Sequence, residues 1–120
     1  MVMNKSRSLI ESFKYAFEGI SAALRGRNFK IQIAASILVI ILGFIFNISE
    51  SQWLVILLLI SLILSLEMIN TSIEKLLDFI SKEKNPEIKT IKDILAGAVL
   101  IVSLIAIITG LMIFIPKIIF

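Results

Sequence analysis

The sequence contains no cysteine and no histidine. Without cysteine there is no disulfide framework and no thiolate metal site. Without histidine there is no imidazole acid or base, no zinc site of the usual kind and no Ser-His-Asp triad. Any catalysis by this chain must therefore use carboxylates, amides, hydroxyls, lysine and arginine.

Charged residues are also scarce, at 18% of 120 residues, whereas hydrophobic residues make up 58% and the mean hydropathy is +1.03. Soluble domains average about 45–50% apolar residues. The composition therefore predicts an integral membrane protein whose residues 1–120 form one domain. The net charge is only +3, and its basic residues are not interleaved with stacking aromatics, so we expect no nucleic-acid partner.

The hydrophobic pattern predicts four helical segments. Residues 8–25 have apolar side chains on one side of a helix and charged side chains on an adjacent side, which predicts an amphipathic helix in the membrane interface. Three apolar runs then predict membrane spans at about residues 31–47, 52–80 and 91–115, the second including an extension into the cytosol. Thr90 and Asp93 have the spacing of a capping box and are predicted to open the third span.

Basic residues are distributed unevenly around these spans. Six lie in residues 1–30 and five in residues 75–92, whereas the predicted far side has only Lys117. The positive-inside rule then predicts a multi-pass protein of the cell membrane with a cytosolic N-terminus and an extracytosolic C-terminus.

The second span continues into a polar segment without a turn signal. At about 100° per residue, five polar side chains of this segment share one helix stripe roughly 100° wide: Glu67, Asn70, Thr71, Glu74 and Asp78. One interpretation is a solvated helix end. The alternative is a functional site, because ionisable groups next to hydrocarbon-length sequence are costly and usually functional.

Clustered carboxylates beside lysines at a cytosolic membrane surface suit a magnesium–nucleotide complex. Glu67 is the acid nearest the hydrocarbon and could act as a base toward a lipid hydroxyl. Glu74 lies two turns further out, where a nucleotide could bind. No glycine-rich phosphate loop is present, so residue chemistry alone indicates an acidic interfacial site and leaves a kinase as one hypothesis.

Two spaced motifs make the functional hypothesis more specific. They are Glu67-x-x-Asn70-Thr71-x-Ile73-Glu74-x-x-x-Asp78 and Lys92-Asp93-x-x-Ala96-Gly97-Ala98-Val99. Together they resemble the signature of the small bacterial integral-membrane diacylglycerol kinases. Tyr15 with Gly19 and the Asn28-Phe29-Lys30 segment extend the resemblance over nearly the whole chain. The C-terminal Thr109-Gly110-Leu111 and Phe114-Ile115-Pro116-Lys117 are similar to the undecaprenol kinase branch of Gram-positive bacteria.

The resemblance implies an all-α membrane protein with one interfacial helix and three transmembrane helices, assembled as a homotrimer whose sites are shared between subunits. It further implies ATP as phosphoryl donor, Mg²⁺ as cofactor and a lipid alcohol as substrate. Glu67 would be the catalytic base, and Glu74 would bind the metal. The remaining residues that it implicates are Tyr15, Glu74, Asp78, Lys92 and Asp93 for the nucleotide, and Asn28, Lys30, Asn70, Thr71 and Ala96 for support or substrate binding.

For two of these residues a simpler role is open. Asp93 could serve only as the acid of the helix cap, and Lys92 could serve only as topogenic charge. One departure from the family pattern concerns the metal. Relatives usually carry a second metal-binding glutamate near the position of Gly26, and here no acid lies between Glu18 and Glu50.

Four functions follow from these features. The first is a kinase acting on undecaprenol, and the second is a diacylglycerol kinase. The third is an inactive assembly protein that has lost a metal ligand. The fourth is an ion-translocating subunit, which would need its acid near the bilayer centre rather than at the end of a span.

The charge asymmetry makes a topology prediction. A reporter fused after Phe120 should behave as extracytosolic, and one inserted near Asn85 should behave as cytosolic. Paired alkaline phosphatase and fluorescent-protein fusions measure both. The reverse pattern would contradict the assignment of the polar stripe to the cytosolic side.

Overall fold

A computed structural model describes residues 8–81 and 83–119, and within these ranges the chain is helical with no strand. The four helices are α1 (Leu9–Ala23), α2 (Arg27–Ile45), α3 (Glu50–Ile80) and α4 (Pro86–Ile119). The last three are long and apolar enough to cross a membrane. The predicted fold class, an all-helical membrane protein with three membrane-length helices, is confirmed.

Helix α1 begins with a side-chain cap and leaves an apolar face uncovered. Ser8 Oγ accepts a hydrogen bond from the backbone N–H of Glu11, at 3.2 Å. Large apolar side chains along α1 are exposed, as a helix lying in the membrane interface requires. These side chains are Leu9, Ile10, Phe13, Phe17 and Ile20.

A tight turn joins α2 to α3. Asn47 adopts the left-handed conformation (φ 49°), which asparagine tolerates better than most residues. The N–H of Ile48 donates to the carbonyl of Gly43 (3.1 Å), and the N–H of Asn47 donates to that of Phe44 (3.3 Å). This is the hydrogen-bond pattern of a Schellman motif, which satisfies the last carbonyls of a helix. Ser49 and Gln52 then form a capping box that starts α3.

Gly43 and Trp53 set the contact between α2 and α3 beside this turn. A Cβ added to Gly43 would lie 2.6 Å from a ring carbon of Trp53, so only glycine leaves room for the indole. The Trp53 ring also packs on Phe44, with 4.9 Å between ring centroids. A buried cluster of Ile48, Ile56, Ile113 and Phe114 continues the packing onto α4. The apolar core is therefore concentrated at the turn end of the bundle.

Helix α4 begins earlier than predicted. Pro86 is its first residue, a position where the missing N–H of proline costs nothing. The Asn85 carboxamide oxygen accepts from the N–H of Glu87, at 2.8 Å. Thr90 is inside the helix, where its hydroxyl donates to the Pro86 carbonyl (3.0 Å), so the predicted capping box of Thr90 and Asp93 is wrong.

The Gly43–Trp53 contact fixes the register of the antiparallel pair α2 and α3. Phe29 lies about 14 residues before Gly43 on α2, and Glu67 lies about 14 residues after Trp53 on α3. Gly26 and Asn70 each lie three residues further from the contact. Both helices rise by about 1.5 Å per residue, so these pairs lie at similar heights. The start of α2 is therefore level with the polar segment of α3, at the end of the bundle opposite the turn.

Replacing Gly43 should weaken the packing of α2 against α3. We expect Gly43→Ala to lower the free energy of unfolding by about 1–3 kcal/mol, the usual cost of overpacking, because the indole of Trp53 must move. Trp53 is the only tryptophan, so its fluorescence reports the displacement directly. Gly19→Ala is the matched control, since its new methyl group would meet nothing within 4 Å. Equal stability and equal emission spectra for the two variants would contradict this account.

Candidate active site

The polar stripe of α3 runs from a buried end to an exposed end. Glu67 is 3% exposed and Asn70 is 9% exposed, which makes them the buried polar residues of the described chain. Thr71 and Glu74 are half-buried, and Asp78 is exposed. The sequence predicted that these side chains share one face, and the structure adds that the protein covers the first members of the stripe and leaves the last one exposed.

Apolar residues from α1 and α2 lie at the height of the buried acid. Ala23, at the end of α1, and Phe29, in the first turn of α2, are both buried, and α1 contacts α3. Because the register places Phe29 level with Glu67, we infer that these side chains cover the inner part of the stripe. A carboxylate covered in this way is removed from bulk water.

An ion pair joins the exposed end of the stripe to α4. Lys92 Nζ donates to Asp78 Oδ1 at 2.8 Å. The hydrogen bond to Asp78, helped by the charges of Asp78 and Glu74, raises the pKa of Lys92 above its ordinary value. A solvent-exposed pair of this kind contributes little to stability. Its effect is positional, because it ties the Lys92 amine of α4 to the Asp78 carboxylate of α3.

Asp93 is directed along its own helix rather than across to α3. Its carboxylate pairs with Lys89 at 2.7 Å, one turn earlier, and both side chains are largely exposed. Lys92 and Asp93, with Asp78, line an open depression between the α3–α4 loop and the first turns of α4. Ala96 is exposed one turn beyond Lys92. The geometry thus groups Lys92 with the α3 carboxylates and leaves the nucleotide role of Asp93 a prediction.

The remaining predicted residues lie on α1 and at the start of α2. Tyr15 is partly exposed on α1. Asn28 and Lys30 are exposed inside the first turn of α2, which begins at Arg27 rather than near residue 31. In the ranges that the structure describes, no hydrogen bond or ion pair joins Asn28 or Lys30 to α3. The predicted roles of these three residues stay predictions.

Gly26 is the N-cap residue of α2, and no side chain caps this helix. Its backbone is extended (φ −78°, ψ 137°), a conformation open to any residue. Arg25 and Arg27 flank it, so this corner carries positive charge and no carboxylate. The structure therefore agrees with the sequence that this height of α2 supplies no acidic metal ligand.

The donor atoms near Glu74 can be compared with what Mg²⁺ requires. Among residues 8–81 and 83–119 no group of three or more acidic side chains is arranged to hold a metal ion by itself. Mg²⁺ bound with a nucleotide needs only one or two protein oxygens, since phosphates and waters supply the others. Glu74 offers a half-buried carboxylate, and Asn70 one turn away offers a buried oxygen with no hydrogen-bond partner in the described chain. These residues fit a magnesium–nucleotide complex.

Sequence comparison connects this arrangement to characterised proteins. The family profile described as prokaryotic diacylglycerol kinase matches residues 14–114. Undecaprenol kinase of Bacillus subtilis (strain 168) is 41% identical over 115 residues, covering 95% of this chain and 94% of that protein. Diacylglycerol kinase of Synechocystis sp. (strain PCC 6803) is 33% identical over 105 residues, covering 86% of this chain and 60% of that protein.

The match includes the whole polar segment of α3 and the start of α4, the two elements that the Asp78–Lys92 pair joins. It also includes all three helices that could cross a membrane, apart from the last residues of α4. The helical fold and the sequence comparison therefore agree, and this membrane protein belongs to the prokaryotic diacylglycerol kinase family.

Proposed function

We propose that this protein is an ATP- and Mg²⁺-dependent lipid kinase that phosphorylates undecaprenol. The observation that carries the proposal is the burial of Glu67 at the inner end of a stripe of carboxylates. The relative named undecaprenol kinase matches over nearly the full length of both chains, which supports this substrate. A protein that served only assembly would have no need to bury an acid at this position.

Glu67 acts as the general base. The lipid lies in the membrane with its hydroxyl at the height of Glu67, and the carboxylate accepts the hydroxyl proton as the oxygen attacks the γ-phosphorus of ATP. The bond between the γ-phosphorus and the β,γ-bridging oxygen breaks, and ADP leaves. The products are the lipid phosphate and ADP, and Glu67 returns its proton to water. Such positioning and proton transfer are the main tasks of a phosphoryl-transfer site.

The outer half of the stripe binds the nucleotide. Mg²⁺, when bound, neutralises phosphate charge and orients the γ-phosphoryl group. Glu74 would be its carboxylate ligand, and Lys92 would exchange its hydrogen bond to Asp78 for one to the phosphates. The Asp78–Lys92 pair supports this role, because it holds the amine at the outer end of the stripe. Tyr15 and Asp93 also belong to the nucleotide site, and Asn28, Lys30, Thr71 and Ala96 support the site or bind the substrate.

The same proposal includes the assembly and the topology. The protein forms a homotrimer in the cell membrane, with its polar stripe on the cytosolic side and its active sites shared between subunits. Two features support this arrangement. The described chain leaves many large apolar side chains of α4 exposed, and the basic residues cluster at the end of the bundle that holds the stripe.

A diacylglycerol kinase is the second candidate, because the Synechocystis relative carries that name. Both lipids present one primary hydroxyl to the site and apolar chains to the helices. Incubating the purified protein in detergent micelles with radiolabelled ATP and either lipid separates them. We expect label in undecaprenyl phosphate at a higher kcat/KM than in phosphatidic acid. Label in neither lipid would overturn the kinase assignment.

Removing the basicity of Glu67 should stop turnover but not nucleotide binding. Glu67→Gln keeps the size of the side chain and removes its ability to take a proton. We expect kcat to fall by about 10²-fold or more, the usual scale of general-base catalysis, with an unchanged nucleotide dissociation constant. Glu50→Gln, at the opposite end of α3, is the control. A Glu67→Gln enzyme with near-parental kcat would rule out this residue as the base.

A further inference from the structure

The carboxamide oxygen of Asn70 is a buried acceptor without a donor. Asn70 is 9% exposed, and its Oδ1 has no hydrogen-bond partner within residues 8–81 and 83–119. An unpaired acceptor that has left water raises the free energy of the protein. A ligand that brings positive charge or a donor to this atom would recover that free energy.

The groups around the proposed reaction leave few candidates for this ligand. Lys92 is the nearby cation on α4, and it already donates to Asp78. A lipid alcohol has one hydroxyl proton, and that proton goes to Glu67 in the proposed function. Arg25 and Arg27, which flank Gly26, do not donate to this oxygen either, since it has no hydrogen-bond partner in the described chain. A metal ion that arrives with the nucleotide is a further source of positive charge, and amide oxygens are among the hard oxygen ligands that such cations accept.

The spacing of Asn70 and Glu74 suits two ligands of one ion. The two residues are four apart on an unbroken helix, so their side chains lie on one face in adjacent turns. Glu74 is half-buried at the outer side of Asn70. Across from them, the register places Gly26, which has no side chain to contribute. On this face, Asn70 and Glu74 of α3 are therefore the side chains that can offer oxygen ligands in adjacent turns.

We propose that Asn70 Oδ1 is a direct ligand of the Mg²⁺ that accompanies ATP, paired with a carboxylate oxygen of Glu74. Phosphate oxygens and water complete the coordination shell. Asn70 thereby supplies the second protein ligand in a chain that has no acid near Gly26. The inference rests on the proposed function only in that the ion arrives bound to a nucleotide.

Manganese in place of magnesium makes the assignment measurable without turnover. The full chain, labelled with asparagine that carries ¹³C in the side-chain carboxamide, is purified in detergent with Mn²⁺ and a non-hydrolysable ATP analogue, and no lipid is added. Electron–nuclear double resonance should show a ¹³C coupling from one directly bound carboxamide. The coupling should be absent from Asn70→Leu, which keeps the side-chain shape, and present in Ser72→Ala, an exposed neighbour on α3.

Metal affinity gives the second readout. Losing even an outer partner of a metal ligand typically weakens binding by 10–100-fold, so we expect Asn70→Leu to weaken Mn²⁺ binding by about tenfold or more. Asn70→Asp should retain or tighten binding, because a carboxylate replaces the amide. Ser72→Ala should match the parent.

Two results would overturn the assignment. One is a parent protein without the ¹³C coupling. The other is an Asn70→Leu variant that binds Mn²⁺ as tightly as the parent but phosphorylates lipid slowly, which would make Asn70 a hydrogen-bonding residue. Because both readouts are taken without lipid, they decide the role of Asn70 even if the lipid assay overturns the proposed kinase.

Discussion

Moving a carboxylate out of water costs free energy, and this chain does so at Glu67, immediately after a long apolar stretch of α3. The surrounding structure follows from that constraint. The backbone hydrogen bonds of α3 have to continue through the polar segment, because unpaired backbone groups beside hydrocarbon add a further cost. An unbroken helix then places the later polar residues at fixed angles and heights relative to Glu67, which is why one helix face carries a graded series of acids.

The two ends of the helix bundle have different roles in the structure. The turn end carries the Schellman motif, the capping box, the Gly43–Trp53 contact and the buried aliphatic cluster, which together determine how α2, α3 and α4 pack. The opposite end holds the polar stripe, with Ala23, Phe29 and Leu77 buried near it. Its geometry therefore depends on the register set at the turn, together with the Asp78–Lys92 pair that connects α3 to α4.

Much of this could be predicted from the sequence, because long apolar runs and a 3.6-residue period are local properties. The helices and the shared face of Glu67, Asn70 and Glu74 follow from them. Helix boundaries are less accessible. Proline suits both a turn and a first helical position, so Pro86 alone does not fix the start of α4, and α2 begins at Arg27 because charged residues can occupy a first turn.

Contacts between helices could not be predicted at all. The need for glycine at position 43 depends on where the Trp53 ring lies, and no periodicity contains that information. The same is true of the choice of Asp78 as the partner of Lys92, and of the unpaired oxygen of Asn70. Each of these features depends on residues that are distant in sequence, and the last depends on the absence of a neighbour.

The continuity of α3 also has a mechanical consequence. Its 31 residues form a rod about 46 Å long, against a hydrocarbon layer of about 30 Å. From Trp53, a ring suited to the membrane boundary, Glu67 is roughly 21 Å along this rod and Glu74 roughly 31 Å. The rod cannot shorten, so a thicker or thinner bilayer changes the depth of Glu67 relative to the lipid headgroups, or tilts the helix. The depth of the acids in the membrane is thereby tied to bilayer thickness, because one rigid helix carries them and spans the layer.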